Sequence, residues 1–353
     1  MRTQELKDWL VGEGATFREW QGREEVVSFG DPEAELAAAQ NSAVIADRNE
    51  RVTLSAEGAD VVTLMQGLVT GDVHTLKVEG SGFITTAVDL KGRMVADLRM
   101  IHLPDVLIID AEAEPGLALL SHARRHVMME DARFKDRTPT TGRAAVVGPE
   151  SSTILVRAGR WQRSPDELPD YHAITGRIGP HEVVLQKVPD FGQPAFEIFC
   201  DANAEKHVMQ SLLKVNNDAR LAGSEALESL RVQTGYPRWG VELDVKVIPL
   251  EADMNYGVSY TKGCYLGQEI IARLDTRGVP AKMLRHIVFS DNFIAQVGED
   301  VMIAETKVGT IRSSASGIAM AYLKRNHNDP GGVVTVAGHT GQIRRLPPWP
   351  AES

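Results

Sequence analysis

One thiol in this chain is set among residues that would sharpen its chemistry. In Lys262-Gly263-Cys264-Tyr265-Leu266-Gly267-Gln268-Glu269 a cysteine stands between two glycines and close to a lysine, and a helical pattern (Ile270, Ile271, Ala272, Arg273, Leu274) follows. The glycines allow positive φ and close approach of another group, and a helix start offers unpaired N–H groups and the positive end of the helix dipole. A free thiol titrates near ~8.5, and both a helix N-terminus and a lysine favour its thiolate. Cys264 is therefore expected to be partly exposed and reactive; the same spacing also suits a small buried thiol in a packed turn. Over residues 262–285 the cations Lys262, Arg273, Arg277, Lys282 and Arg285 outnumber the anions Glu269 and Asp275. Such a surplus suits an anionic ligand or an acidic partner, and equally a solvated helix face. His122 and His126 share a helix face at metal-ligand spacing but lack a third ligand, so a polar face is the expectation.

The elements that must position these groups follow from periodicity. Gln4 to Val11 reads as helix and Val26 to Phe29 as strand, and Asp31-Pro32 is a cap followed by proline at the first helical position, opening a helix from Glu33 to Gln40. Arg51 to Ser55 (strand), Gly58 to Leu68 (helix), Phe83 to Val88 and Met94 to His102 (hairpin), Val106 to Asp110 (strand), Pro115 to Met128 (helix) and Ala132 to Asp136 (strand) form a ferredoxin-like order with an extra strand. The order recurs at Ala144 to Val147, Glu150 to Val156, Glu182 to Val188, Ala195 to Cys200 and Ala204 to Val215. Polar, proline-bearing Trp161 to Tyr171 reads as a surface loop, and Ser224 as the N-cap of a helix from Glu225 to Arg231. Gly235 to Gly240 is irregular and aromatic, as chain beside a pocket often is. From Leu284 onward short strands at regular spacing (Leu284 to Phe289, Asp300 to Ile303, Lys307 to Arg312, Ile318 to Tyr322, Val333 to Val336, Gln342 to Leu346) predict a small barrel. The class is α+β, with two interleaved α+β subdomains in residues 1–281 and a C-terminal β-barrel in 282–353.

Composition narrows the function. The 353 residues are 43% hydrophobic and carry a net charge of −10, which argues against a broad nucleic-acid or anionic-membrane face. Two cysteines, Cys200 and Cys264, make neither a disulfide framework nor a closed zinc site, and no apolar run approaches a membrane span. A reducing cytoplasm is the expected compartment. Cys200, beside Phe199 at a strand end, reads as core.

The Cys264 segment matches the signature Lys-Gly-Cys-Tyr-x-Gly-Gln-Glu of the YgfZ family of folate-binding proteins, relatives of the aminomethyltransferase (T-protein) of the glycine cleavage system. Gln66 to Val73 resembles the Leu-x-Asn-Asp-Val stretch of those relatives, with Gly71 where asparagine is usual. Leu230 to Pro237 resembles their Leu-Arg-Leu-Glu-Ala-Gly-Tyr-Pro, Pro249 to Ala252 their Thr-Pro-Leu-Glu-Ala, and Val308 to Ser314 a motif of their barrel domain. The resemblance runs from about residue 45 to 346. It implies three domains around a central cavity holding tetrahydrofolate.

A pterin needs an apolar or aromatic slot and a carboxylate for its amino and N–H edge, while a glutamate tail needs a cation. By resemblance Glu197 falls near the pterin-binding carboxylate, with Phe199 on its face of the strand and Phe196 and Ile198 on the other; a solvated strand residue is the competing reading. Arg231 matches the arginine of the Leu-Arg-Leu-Glu motif, with a helix-end ion pair as its alternative. Lys262 and Tyr265 of the signature join them as candidate cofactor contacts. The aminomethyltransferases carry Gly-Gly-x-x-Asp-Asp with a catalytic acid; here Gly92-Arg93-Met94-Val95-Ala96-Asp97 keeps one carboxylate. Asp97 is thus a candidate acid or base, or a plain strand-face partner of Arg99. The family resemblance implies support of iron–sulfur cluster assembly or repair, and thereby of cluster-dependent enzymes such as those that modify tRNA, with Cys264 as the functional residue and iron–sulfur proteins or their assembly factors as partners. Folate-dependent aminomethyl transfer or demethylation is the alternative, and a folate sensor without chemistry a weaker third.

Overall fold

The computed structural model describes residues 2–278 and 280–347. Two large sheets, a two-stranded hairpin (Thr16–Trp20 with Arg23–Ser28) and a barrel organise them. The first sheet orders its strands Gly82–Val88, Met94–Leu103, Val106–Glu112, Arg51–Glu57, Arg133–Asp136, all antiparallel. Alternation sorts its two faces. Val52, Leu54, Ala56, Leu98, Met100, Ile109 and Ala111 pack with Met65 of the helix Val61–Leu68 and with Leu119 and Ala123 of the helix Ala113–His126. Their strand neighbours Asp97, Arg99 and Asp110 are also buried, on the face away from those helices.

The second sheet is wider than the sequence predicts. Its order is Gly159–Trp161, Ala173–Ile178, His181–Lys187, Ala195–Asp201, Thr141–Val147, Val44–Asp47, Arg220–Leu221, with only the last pair parallel. Val44–Asp47 precedes the whole first sheet in the chain yet pairs with Thr141–Val147, so the two units interleave. Ala144, Val146, Phe196, Ile198 and Cys200 pack on one face with Leu6 and Leu10 of the helix Gln4–Gly12, Ile154 and Leu155 of Ser151–Ala158, and Val208 and Leu212 of Glu205–Leu213. The segment 161–171 exposes Gln162, Arg163, Asp166, Glu167 and Pro169, as expected of a surface loop, and is anchored inward by Pro165, Leu168 and Tyr171. One local expectation is corrected. The helix Ser224–Thr234 has Gly223, not Ser224, at its N-cap, with no side-chain cap bond. The Asp31 cap holds, its carboxylate accepting from the Ala34 N–H.

The remaining faces of the two sheets meet. One end of the seam is apolar, where Ile101, Leu103, Ala173 and Phe199 pack together. The other end is charged. The six strands Lys282–Phe289, Ile318–Lys324, Thr306–Ala315, Asp300–Ile303, Val333–Val336 and His339–Arg344 close a barrel around Ile287, Val301, Ile311, Leu323, Val336 and Ile343. The barrel docks on the helix Ser224–Thr234 through Leu284 and Met320 against Val232, and the buried His286 ring contacts the Val232 carbonyl at 2.8 Å. No helix among the described residues is long and apolar enough to cross a membrane.

Candidate functional site

The charged end of the seam concentrates the molecule's buried ions. Asp110 accepts from Arg51 Nε at 2.9 Å, from Arg99 at 2.9 Å and from Arg143. Arg143 also reaches Glu197 at 3.0 Å and lies over the Phe199 ring, while Arg99 pairs with Asp190. Burial alone would raise the pKa of Asp110; Arg143, Arg51 and Arg99 overcome it and hold this carboxylate well below its ordinary range. Glu197 is lowered in the same way, burial being outweighed by Arg48, Arg143 and Arg99.

Beside this network lies a cavity of about 40 Å³ walled by Asp97, Arg99, Asp190, Arg231, Tyr236 and Trp239, among others. Asp97 has found no cation of its own: one carboxylate oxygen is buried without a hydrogen-bond partner, and burial, only partly offset by Arg51, pulls its pKa up to about 6. The alternative reading, a plain Asp97–Arg99 pair, is not made, because Arg99 is spent on Asp110 and Asp190. One oxygen of Asp190 and the hydroxyls of Tyr171 and Tyr256 are likewise buried without a hydrogen-bond partner, whereas Glu197 Oε1 lies 3.4 Å from Arg48 and 3.6 Å from Arg99. The irregular 235–240 stretch does face a pocket, through Tyr236, Pro237, Arg238 and Trp239.

Arg231 reaches the cavity but its donors are taken. They go to both oxygens of Glu228, at 2.5 and 2.9 Å, both oxygens of Glu242, at 3.0 and 3.2 Å, and the Tyr236 carbonyl. It is a helix-end ion pair tying the helix to the loop and, through Ser313 on Glu242, to the barrel. Glu197 is fully buried, so the solvated reading is excluded; it stands behind the cavity wall rather than in it.

The signature segment is built differently. The Lys262 ammonium donates to the carbonyls of Gln66 (2.6 Å), Val69 (2.7 Å) and Gly71 (2.7 Å), closing the C-terminal end of the helix Val61–Leu68, and it sits over the Tyr265 ring. Burial lowers its pKa to about 8. The Leu266 N–H donates to the Gly67 carbonyl. Gly267 starts the helix Gln268–Arg277 at φ +77°, and a Cβ there would stand 2.3 Å from the Asp89 carbonyl oxygen. Only glycine fits both demands. With Lys262 and Tyr265 buried and Gly267 pressed on the hairpin turn, the segment is fixed at both ends and Cys264 is exposed between them. Lys262, Cys264 and Tyr265 are not among the residues that wall the cavity; Asp97 and Arg231 are. Cys200 is buried, and burial raises its pKa strongly. Among the described residues no cluster of His, Cys, Asp and Glu would hold a metal ion. Of the local cations, Arg273 pairs with Glu269 and Arg285 with Asp253, and the Arg277 side chain lies outside the described residues.

Sequence reasoning missed Arg51, Asp110, Arg143, Asp190 and Arg238, which make most of the ion network. A signal existed: Arg99, Asp110 and Arg143 each interrupt an apolar strand, and a charge there must be paired or excluded.

The GCVT N-terminal domain family matches this chain over residues 6–262. The chain belongs to that family. Among its relatives, an aminomethyltransferase of Halothermothrix orenii is 23% identical over 353 residues, covering 95% of this chain and 96% of the relative. An aminomethyltransferase of Corynebacterium aurimucosum is 24% identical over 305 residues, 85% of this chain and 82% of the relative. The crystal structure of the glycine cleavage system aminomethyltransferase T of Bartonella henselae superposes with a TM-score of 0.88 at 17% identity, covering 98% of this chain and 97% of that one. The family's fold, mixed α/β with a closed C-terminal barrel, is thus the fold of this chain.

Proposed function

We propose that the chain binds tetrahydrofolate at the seam cavity and supports iron–sulfur cluster assembly or repair through the Cys264 thiol. The observation that carries this reading is the exposed Cys264 on a segment held at both ends, in a chain whose other thiol is sealed. A donor-rich, flat ligand edge suits the cavity: Asp97 and Asp190 each offer an oxygen without a hydrogen-bond partner, and Tyr236 and Trp239 offer aromatic walls. The free space of about 40 Å³ is far below the ~300 Å³ at which ligand pockets begin, so binding requires the Tyr236–Trp239 loop to give way. Bound folate would bring its one-carbon chemistry; the chain's own part is to orient it and keep water out. Titration calorimetry with tetrahydrofolate, alongside cluster-enzyme activity in cells, tests the reading. Cys264→Ala is expected to bind folate like the parent and to lose cluster-dependent activity; unchanged cluster enzymes would remove Cys264 from the function.

A second reading, folate-dependent one-carbon transfer, is favoured by Asp97 itself. A buried carboxyl with a free oxygen and a pKa of about 6 is suited to proton transfer near neutrality, and the relatives above are named aminomethyltransferases. Against it, Ala96 stands where the resemblance places a second acid. Turnover of aminomethyl-lipoyl protein, abolished by Asp97→Asn, is the result this reading requires.

A further inference from the structure

Next to the signature segment runs a groove of about 700 Å³ that the cavity chemistry leaves unused. Its walls are the hairpin turn at Leu90 and Lys91, the helix face of Ser121, His122 and Arg125, and Leu266. Leu266 is two residues from Cys264, at most about 7 Å along the backbone. The turn and the signature helix are locked together, since Gly267 touches the Asp89 carbonyl and a Cβ on Gly92 would meet Ile270 at 3.0 Å. Groove and thiol therefore keep a fixed relation.

The charge of the groove is one-sided. Lys91 and Arg125 are exposed, and neither forms an ion pair among the described residues. The one carboxylate in the wall, Asp89, accepts through Oδ1 from the Lys91 N–H at 2.8 Å and the Arg93 N–H at 2.9 Å, and the two cations outnumber it. The His122 Nε2 is buried without a hydrogen-bond partner, so the ring adds no exposed charge to the wall. Apolar surface stands beside these cations: Leu90 is 77% exposed at the turn, and Met128 and Met129 follow the helix end at 87% and 98%. On a chain of net charge −10, unpaired cations interleaved with exposed aliphatic and thioether side chains are the complement of an acidic, partly apolar peptide.

We propose that this groove docks an acidic segment of a partner protein and presents a sulfur of that segment to Cys264. The proposal rests on Cys264 being the functional thiol, and names the chemistry of what it meets. A thiol-exchange assay on the full chain tests it. The probes are a short glutamate- and leucine-containing peptide and its glutamine-for-glutamate analogue, each carrying one cysteine as a mixed disulfide with thionitrobenzoate. The Cys264 thiolate attacks the peptide sulfur, a new disulfide joins protein and peptide, and the coloured thionitrobenzoate leaves with the electron pair of the broken S–S bond. The thiol proton passes to buffer. Cys264→Ser sets the blank.

The glutamate peptide is expected to react about tenfold faster than its analogue at low salt, with the advantage shrinking as salt rises. The double variant Lys91→Glu, Arg125→Glu should make the glutamate peptide the slower of the two while the glutamine peptide reacts as with the parent, which also certifies an intact fold and thiol. Equal rates for both probes in the parent, or a preference that survives the charge reversal, would overturn the groove. Failure of the underlying reading shows elsewhere, as normal cluster enzymes in Cys264→Ala cells with the peptide preference intact.

Discussion

The seam network and the signature face both concentrate charge, on opposite terms. At the seam, Arg51, Arg99 and Arg143 surround Asp110 with almost no exposure to solvent, and each guanidinium meets a carboxylate. At the signature face, Lys91 and Arg125 are exposed and form no ion pair among the described residues, while Lys262 is buried and held by main-chain carbonyls. A buried ion must find its counter-charge within the molecule, because desolvation costs several kcal/mol per ion unless it is offset. Exposed cations carry no such obligation and remain available to a partner. The seam is thus bound to itself except at Asp97 and a few orphaned oxygens, which is where a ligand gains most.

The hardest way to break that contrast is Asp110→Asn. The variant keeps the shape and strands three guanidiniums without their shared anion, so a loss of about 3–5 kcal/mol is expected, read as a fall in the urea midpoint. A loss below about 1 kcal/mol would mean that Glu197, Glu112 and Asp190 re-pair the arginines, and the network would be looser than its geometry.

Asp97→Asn should act in the other direction, and with pH. The native carboxyl titrates at about 6 against the ordinary 3.8, so its contribution is full below the unfolded value and is lost as pH rises through 6. Asparagine never ionises. Parent and variant should therefore match near pH ~4, and the variant should be the more stable above pH ~7, by up to about 3 kcal/mol. A difference flat across that range would mean the carboxylate is solvated or paired after all.

These two carboxylates also mark where the sequence was legible. Strand positions were readable because alternation and turn residues are local: Met94 to His102 was expected and Met94–Leu103 is found, and Asp300–Ile303 and Val333–Val336 coincide. Val44–Asp47 was missed because it is a short buried run whose partners lie far along the chain, and Ala173–Ile178, although it makes a local hairpin with His181–Lys187, was missed because Gly176 and Arg177 break its apolar run. The exposure of Cys264 followed from flanking glycines, a local cue. The anchoring of Lys262 did not, since its acceptors, the carbonyls of Gln66, Val69 and Gly71, lie 191 to 196 positions away. Arg231 illustrates the limit: a motif placed it at the cavity, and only packing shows its donors already taken by Glu228 and Glu242.

The gentlest test compares like with like. Arg273 and Arg143 are both arginines paired with a glutamate, at 2.7 Å to Glu269 and 3.0 Å to Glu197, so the pairing chemistry is matched. Their surroundings are not: the Arg273 side chain is 65% exposed and that of Arg143 is 1% exposed. Water already solvates Arg273 and Glu269 in the unfolded chain and does so still in the folded one, leaving little for the contact to add beyond its place one helical turn apart. Arg273→Ala should therefore cost at most about 0.5 kcal/mol, and the cost should vanish in high salt. A loss near that of Asp110→Asn would show that the signature helix is held by its ion pairs, and that its face is committed rather than open to a partner.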